Sequence, residues 1–432
     1  MTKIRLHLPG IPNTICKDEY NYCAFTGKTQ RFSKMMKSVG YEVYYYGIES
    51  SESYADKQID LLNLIEFDEL TLKSYKELFP NLNEEELKYR LSNPIHFIGQ
   101  LSNLTTILYK EFNKRFREKL IENYRSVATD IVCLPYGPAH LDGVKDLNYV
   151  FVESGIGYNN AYESFRIYES YAIMHYDYSR CQKQHENYWF VCPNYYNIDD
   201  WKYNDNPLKK IGFLGRVCDS KGILIIFEIA KKFPDIEFVI CGQGDFSSYL
   251  SIYTNVKNVV YKEPIHGKER GDYLSNLSAL LVPSTYLEPF CGVSAEAQLC
   301  GTPVITNDYG AFVENVEQFK TGMRCHTLSD FCHGIKMAID GKFDRKYIRE
   351  RAVQLFDMYK IAKQYNYIFK SINNIYNGTN GWYSINNSIY LLEPEEPEEP
   401  EEPEEPEEPE EPEEPEEPEE PEEPEEPEEP EE

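Results

Sequence analysis

Residues 281–310 read Leu-Val-Pro-Ser-Thr-Tyr-Leu-Glu-Pro-Phe-Cys-Gly-Val-Ser-Ala-Glu-Ala-Gln-Leu-Cys-Gly-Thr-Pro-Val-Ile-Thr-Asn-Asp-Tyr-Gly. An apolar run ends at Pro283-Ser284, Pro289 fixes the loop that follows, and Gly292 opens a helix. Gly301 and Pro303 lead out of that helix into a strand over 303–306. Strand, loop, helix and strand in one stretch predict a βαβ unit and hence a parallel sheet.

The same alternation continues outward. Upstream of this stretch, the pattern predicts strands at 210–214, 237–241, 259–261 and 279–282, with helices at 223–233 and 269–276. A polar, turn-rich segment at 199–207 reads as a linker. Before it, strands are expected at 4–8, 41–46, 130–134 and 149–152, the last two each ending in a Gly-containing loop, 136–140 and 153–157. Helices are expected at 29–39, from Asn83 (with Glu86 as its capping-box partner) and at 101–123. Residues 162–171 also read as helical, and 345–375 as one or two closing helices. The expected fold class is α/β, with two doubly wound, Rossmann-like parallel-sheet domains facing a cleft. The expected boundaries are 1–200, 208–345, closing helices 346–377 and a tail 393–432.

That tail is Glu-Pro followed by Glu-Glu-Pro repeats, 27 Glu and 13 Pro in all. With no apolar side chain to bury, its composition predicts an extended, disordered segment. It also accounts for the charge: the chain carries −29, and without the tail carboxylates only −2 remains. The folded part is nearly neutral, so the low pI says nothing about its partners; no nucleic-acid partner is expected. Eleven Cys with no Cys-x-x-Cys pair fit a reducing compartment better than a disulfide framework. The amino terminus lacks the apolar run of a signal peptide, and no segment is long and apolar enough to span a membrane. The expected location is cytoplasmic. The basic run 110–119 reads as a solvated helix face or a peripheral contact with anionic lipid.

In doubly wound sheets, ligands bind beyond the carboxyl ends of the strands. Chemistry-bearing residues gather at those ends. Gly215-Arg216 and Lys221-Gly222 lie between a strand and a helix, where two cations and a helix start can meet an anion. They are also compatible with plain solvated charges. Gly242-Gln243-Gly244 follows a strand and permits either a close ligand or a tight turn. Glu288 lies just before the helix at Gly292, and Glu296 lies in its first turns. The N–H groups of Gly292, Val293 and Ser294 are expected to point into the same space. Carboxylates there can take hydrogen bonds from vicinal hydroxyls.

In order and spacing, Gly215-Arg216, Lys221-Gly222, Gly242-x-Gly244, Pro283-Ser284, Glu288-Pro289-Phe290-x-Gly292, Glu296-Ala297, Gly301-x-Pro303-Val304-Ile305 and Gly310 resemble the retaining glycosyltransferases of family 4 (group 1), which have the GT-B fold. The likeness is close over about 208–325 and looser before it. It implies transfer of a sugar from a nucleotide-sugar donor with retention of configuration. Arg216 and Lys221 would hold the diphosphate, Glu288 the sugar hydroxyls and Glu296 the ribose, with Phe290 in the donor loop. It implies no metal, and the chain has no Asp-x-Asp signature. No cofactor is expected beyond the nucleotide-sugar, which is a substrate. The acceptor class, whether glycan, lipid or small molecule, stays open. So do an epimerase or hydrolase on the same fold and a non-catalytic nucleotide-sugar binder.

The amino-terminal half departs from the family pattern. Pro9-Gly10-Ile11-Pro12 replaces a Gly-Gly pair, and Glu153-Ser154 stands where many members carry His. Glu153 and His140 are therefore the acceptor-side catalytic candidates, with His175 a third and a structural His the alternative. The first loop, 16–19 and 23–28, is expected to line the acceptor cleft.

Overall fold

The computed structural model describes residues 3–20, 23–92, 104–181 and 188–377. The Glu-Glu-Pro tail and the start of the helix expected at 101–123 lie outside the described residues. The first half builds β1 (Arg5–Pro9), β2 (Glu42–Ile48), β3 (Lys57–Leu62), β4 (Asp130–Leu134), β5 (Phe151–Ile156), β6 (Phe165–Tyr168) and β7 (Tyr188–Val191). They form one sheet in the order β3-β2-β1-β4-β5-β6-β7, every pairing parallel. The second half builds β8 (Lys210–Leu214), β9 (Glu237–Cys241), β10 (Val259–Lys262), β11 (Ala279–Val282), β12 (Val304–Asn307) and β13 (Gly322–Cys325). Their order is β10-β9-β8-β11-β12-β13, again all parallel.

Burial on both faces explains why these strands read as continuous apolar runs. Along β4, Ile131 and Cys133 join one core cluster, while Val132 and Leu134 join the cluster on the opposite face. Along β11, Ala279 and Leu281 face one way and Leu280 and Val282 the other. Each sheet therefore needs helices on both sides. In both, the strand order reverses beside the first strand, between β1 and β4 and between β8 and β11, which opens a crevice at that point.

Two helices close the chain. Arg345–Phe356 packs on the second half, where Ala352 and Phe356 meet Phe290 and Leu299. Met358–Tyr376 then crosses to the first half. Its buried positions, Met358, Ile361, Ala362, Tyr365, Ile368, Phe369 and Ile372, follow helical spacing and enter the cluster of Leu6, Phe32 and Ile131.

The main departures from expectation lie in the first half. Residues 162–171 are not helical. Phe165-Arg-Ile-Tyr168 is a fully buried strand, and the helix is Tyr171–Cys181. The aromatic and β-branched residues fit a strand. Arg166, the polar residue within it, is neutralised by Asp177 at 2.9 Å. The loop expected at 136–140 is instead the start of a helix, Gly137–Val144. Strands β3 and β13 and the helix Leu64–Leu78 were not among the expected elements. The Asn83–Glu86 capping box is present, with reciprocal bonds of 2.9 and 2.7 Å. In the basic run, Arg115 is engaged by Glu66 and Glu111.

Candidate functional site

The two loops that flank the strand reversal of the second sheet meet side by side. After β8 the chain makes a short turn, Asp219–Lys221, ended by Gly222 at φ +78°. A Cβ on Gly222 would lie 2.1 Å from the Pro283 carbonyl oxygen, so only glycine lets this turn sit against the end of β11. That contact brings Lys221 to the loop carrying Glu288. Lys221 Nζ donates to Glu288 Oε1 at 2.7 Å and to the Tyr286 hydroxyl at 2.6 Å. Ser284 Oγ donates to Glu288 Oε1 at 2.6 Å, and Tyr286 donates to Oε2 at 2.8 Å. Burial penalises the Lys221 charge, but the Glu288 carboxylate outweighs it and raises the lysine's pKa. Burial, reinforced by Glu288, also raises that of Tyr286.

Glu288 and Lys221 are therefore neighbours, sharing one small network. Arg216 is exposed, on the loop after Gly215. Glu296 sits one turn into the helix Gly292–Leu299 and is 8% exposed. Arg270 fixes it, with Nε at 2.7 Å and Nη2 at 2.5 Å from Oε2. Arg270 lies on the helix Gly267–Ser275 after β10, and no local sequence signal connects it with Glu296.

The helix that carries Glu296 begins abruptly. Cys291 takes φ +68°, and the Ser294 N–H turns back onto its carbonyl at 3.0 Å. The Ser294 donor expected to face a ligand is therefore occupied. Gly292 and Val293 remain as the leading N–H groups of the helix. Phe290 is 1% exposed and packs into the core under the loop, so it supports the site from beneath.

Gly242 and Gly244 serve the backbone. A Cβ on Gly242 would lie 1.8 Å from the Gly215 carbonyl oxygen, and one on Gly244 2.5 Å from that of Val217. The two loops interlock through Gly215 N–H to Cys241 and Val217 N–H to Gln243, at 3.0 and 2.8 Å.

Both amino-terminal candidates are enclosed. His140 is 0% exposed, lies beside the Phe112 and Phe116 rings, and neither ring nitrogen has a hydrogen-bond partner. Burial pushes its pKa down to about 3. It faces the core, because the segment expected to be a loop is a helix whose inner side carries it. Glu153 is also 0% exposed. Its Oε2 accepts the N–H groups of Tyr162 and Glu163 at 2.8 and 3.0 Å, and its Oε1 accepts the Tyr158 hydroxyl at 3.2 Å. Burial pushes its pKa up to about 7 against those bonds. It pins a loop; no reacting group can reach it. His175 lies on the exposed side of its helix beside Tyr171. Of the segments expected to form the first loop, 24–28 is instead the start of the helix Ala24–Ser38, whose Lys28 is buried on Glu169 at 2.6 Å, and Cys16 also turns inward. His266 of the second half has its pKa lowered by burial and by Arg270, with Asp18 of the first half acting in the opposite sense.

Residues 198–354 match the family model for Glycosyl transferases group 1. That segment is similar to the group 1 glycosyltransferases, and the chain's two parallel sheets have the GT-B arrangement. An uncharacterized glycosyltransferase of Methanocaldococcus jannaschii is 28% identical over 175 residues, covering 38% of this chain and 45% of that protein. A 2-deoxystreptamine N-acetyl-D-glucosaminyltransferase of Niallia circulans is 30% identical over 110 residues, 24% of this chain and 28% of its own. The chain thus spans less than half the length of these curated relatives. Among solved structures, a sucrose-phosphate synthase of Thermosynechococcus elongatus aligns with a TM-score of 0.62 at 16% identity, over 86% of this chain and 99% of its own. An Anabaena protein solved with UDP and glucose aligns at 0.58 and 15%, over 85% of this chain and all of its own. These two likenesses are of fold.

Proposed function

We propose that this chain transfers a sugar from a nucleotide-sugar donor to a hydroxyl-bearing acceptor, with retention at the anomeric carbon. The observation that carries this reading is the Lys221–Glu288 pair at the strand reversal of the second sheet, with Glu296, in the helix that follows the same loop, held by Arg270. The pieces match a sugar joined through a diphosphate to a nucleoside. Lys221, with Arg216 at the rim, supplies fixed positive charge where the leaving diphosphate gains negative charge. The leading N–H groups of Gly292 and Val293 add to it. Glu288 takes hydroxyls of the sugar and Glu296 those of the ribose, each carboxylate already oriented by a cation. Diphosphate arriving at Lys221 competes with Glu288 for that ammonium and so releases the carboxylate toward the sugar. The leaving diphosphate, on the face the acceptor approaches, then takes the acceptor proton. The Anabaena protein solved with UDP and glucose shares this fold, which makes uridine diphosphate sugars the first donors to try.

Thermal stabilisation by UDP-, GDP- and ADP-sugars tests the donor site. One class should raise the melting temperature, and Lys221→Ala or Glu288→Ala should abolish the effect. No shift with any nucleotide sugar would refute the donor site. With acceptor extract, the product anomer read by NMR tests retention. An inverted product would discard that part of the reading.

A further inference from the structure

The loop from Glu288 to Cys291 has three consecutive carbonyls, and each is held by a different group. Ala311 N–H donates to the Glu288 carbonyl at 3.1 Å, and Asn315 Nδ2 donates to that of Phe290 at 2.7 Å. Both come from the 311–315 segment of the second half. The carbonyl between them, that of Pro289, accepts from Ser170 Oγ at 2.5 Å, and Ser170 belongs to the first half, just beyond β6. The same Ser170 oxygen accepts the Ile173 N–H at 3.2 Å, so it caps the helix Tyr171–Cys181 while holding the loop. A reciprocal contact lies beside it. The Glu314 carboxylate, from the segment that grips the loop, accepts the N–H groups of Tyr171 and Ala172 at 3.0 and 2.9 Å. A carboxylate at a helix amino terminus gains from both the free N–H groups and the helix dipole.

We infer that Ser170 and Glu314 form a clasp between the two halves that sets the donor loop for transfer. The inference rests on the reading above, in which that loop holds the donor sugar. When the halves meet, Ser170 supplies the missing donor to Pro289 and Glu314 supplies the missing cap to the helix. When they part, the loop loses its middle hold, and two N–H groups of the helix turn to water. Glu288, one residue before Pro289, is fully oriented only in the closed arrangement. Ser170 and Glu314 are positioning residues, since neither needs to touch the donor.

The test combines Ser170→Ala, Glu314→Gln and the double variant with two measurements. Small-angle scattering of the full chain reads the separation of the halves. Donor affinity and turnover at saturating donor read the loop. The expected result is a larger radius of gyration for the double variant. Turnover should fall about tenfold or more while donor affinity changes little, a split that a general loss of stability would not produce. Glu314→Gln, which keeps one acceptor oxygen, should fall between wild type and the double variant. Unchanged scattering together with wild-type turnover would overturn the clasp. If the wild-type chain bound no nucleotide sugar, the donor reading would fail on its own, and the scattering comparison would still decide whether the two residues hold the halves together.

Discussion

Lys221 Nζ lies 2.7 Å from Glu288 Oε1, and their side chains are 17% and 4% exposed. Each is the other's principal countercharge. Removing one partner of such a pair leaves the other charge poorly compensated. Lys221→Met is expected to lower stability by about 2–4 kcal/mol, and the double variant Lys221→Met/Glu288→Gln by less than the sum of the two single changes. A double-mutant cycle by denaturant unfolding measures this. Strict additivity would mean that the pair is not coupled.

Gly242→Ala is expected to destabilise by about 2–4 kcal/mol, because the new Cβ meets the Gly215 carbonyl at φ +149°. Gly267→Ala is the control. That residue also has a positive φ but has open space around it, so its cost should stay near 1 kcal/mol. Equal melting temperatures for the two variants would show that the interlocked loops tolerate separation.

Arg270→Gln should weaken nucleotide binding about tenfold without unfolding the chain, because Glu296 loses the guanidinium that fixes its rotamer. Calorimetric titration with the nucleoside diphosphate reads this directly. Unchanged affinity would remove Glu296 from the binding site.

His140 binds no proton in the folded chain until near pH 3, whereas the unfolded chain takes one below its ordinary value of 6.5. The unfolded state therefore gains protons first, and stability is lost as pH falls below 6.5. His140→Leu removes this loss, worth about 1 kcal/mol at pH 5.5, and it also removes two unpaired ring nitrogens. Melting temperatures at pH 5.5 and 7.5 should show the larger gain at the lower pH.

Glu153 works in the opposite direction. Its folded pKa of about 7 stands above the ordinary 4.5, so the folded chain holds the proton longer and stability is lost as pH rises from 4.5 through 7. Glu153→Gln should gain on wild type by about 2 kcal/mol between pH 5 and 8. A constant difference across that range would mean that the carboxyl ionises normally.

In the second sheet β8, β9 and β11 were legible because they are buried on both faces and each is followed by a Gly or Pro. Ala279–Val282 and Lys210–Leu214 lie where the runs place them. The first half was harder to read. β3, Lys-Gln-Ile-Asp-Leu-Leu, is an edge strand whose first four residues are largely solvent-facing, so it carries little pattern. Lys221, Glu288 and Glu296 were visible as a spacing, but their partners were not. Arg270 reaches Glu296 from another helix, and Ser170 reaches Pro289 from the other sheet; one-dimensional spacing does not encode contacts between such distant segments. His140 and Glu153 misled for the converse reason. A polar residue near a strand end reads as accessible, and only three-dimensional packing reveals that it is enclosed.

The helix Met358–Tyr376 carries a consequence for biosynthesis. The sheet that begins at residue 5 is completed by side chains as late as Ile372, packed against Leu6 and Phe32. A nascent chain cannot finish its first domain until nearly all the described residues have left the ribosome. Until then the face of β1 and β4 awaiting that helix stays open. A fragment ending near residue 200 should be insoluble by itself, and should recover solubility when the closing helix is fused to it through a linker.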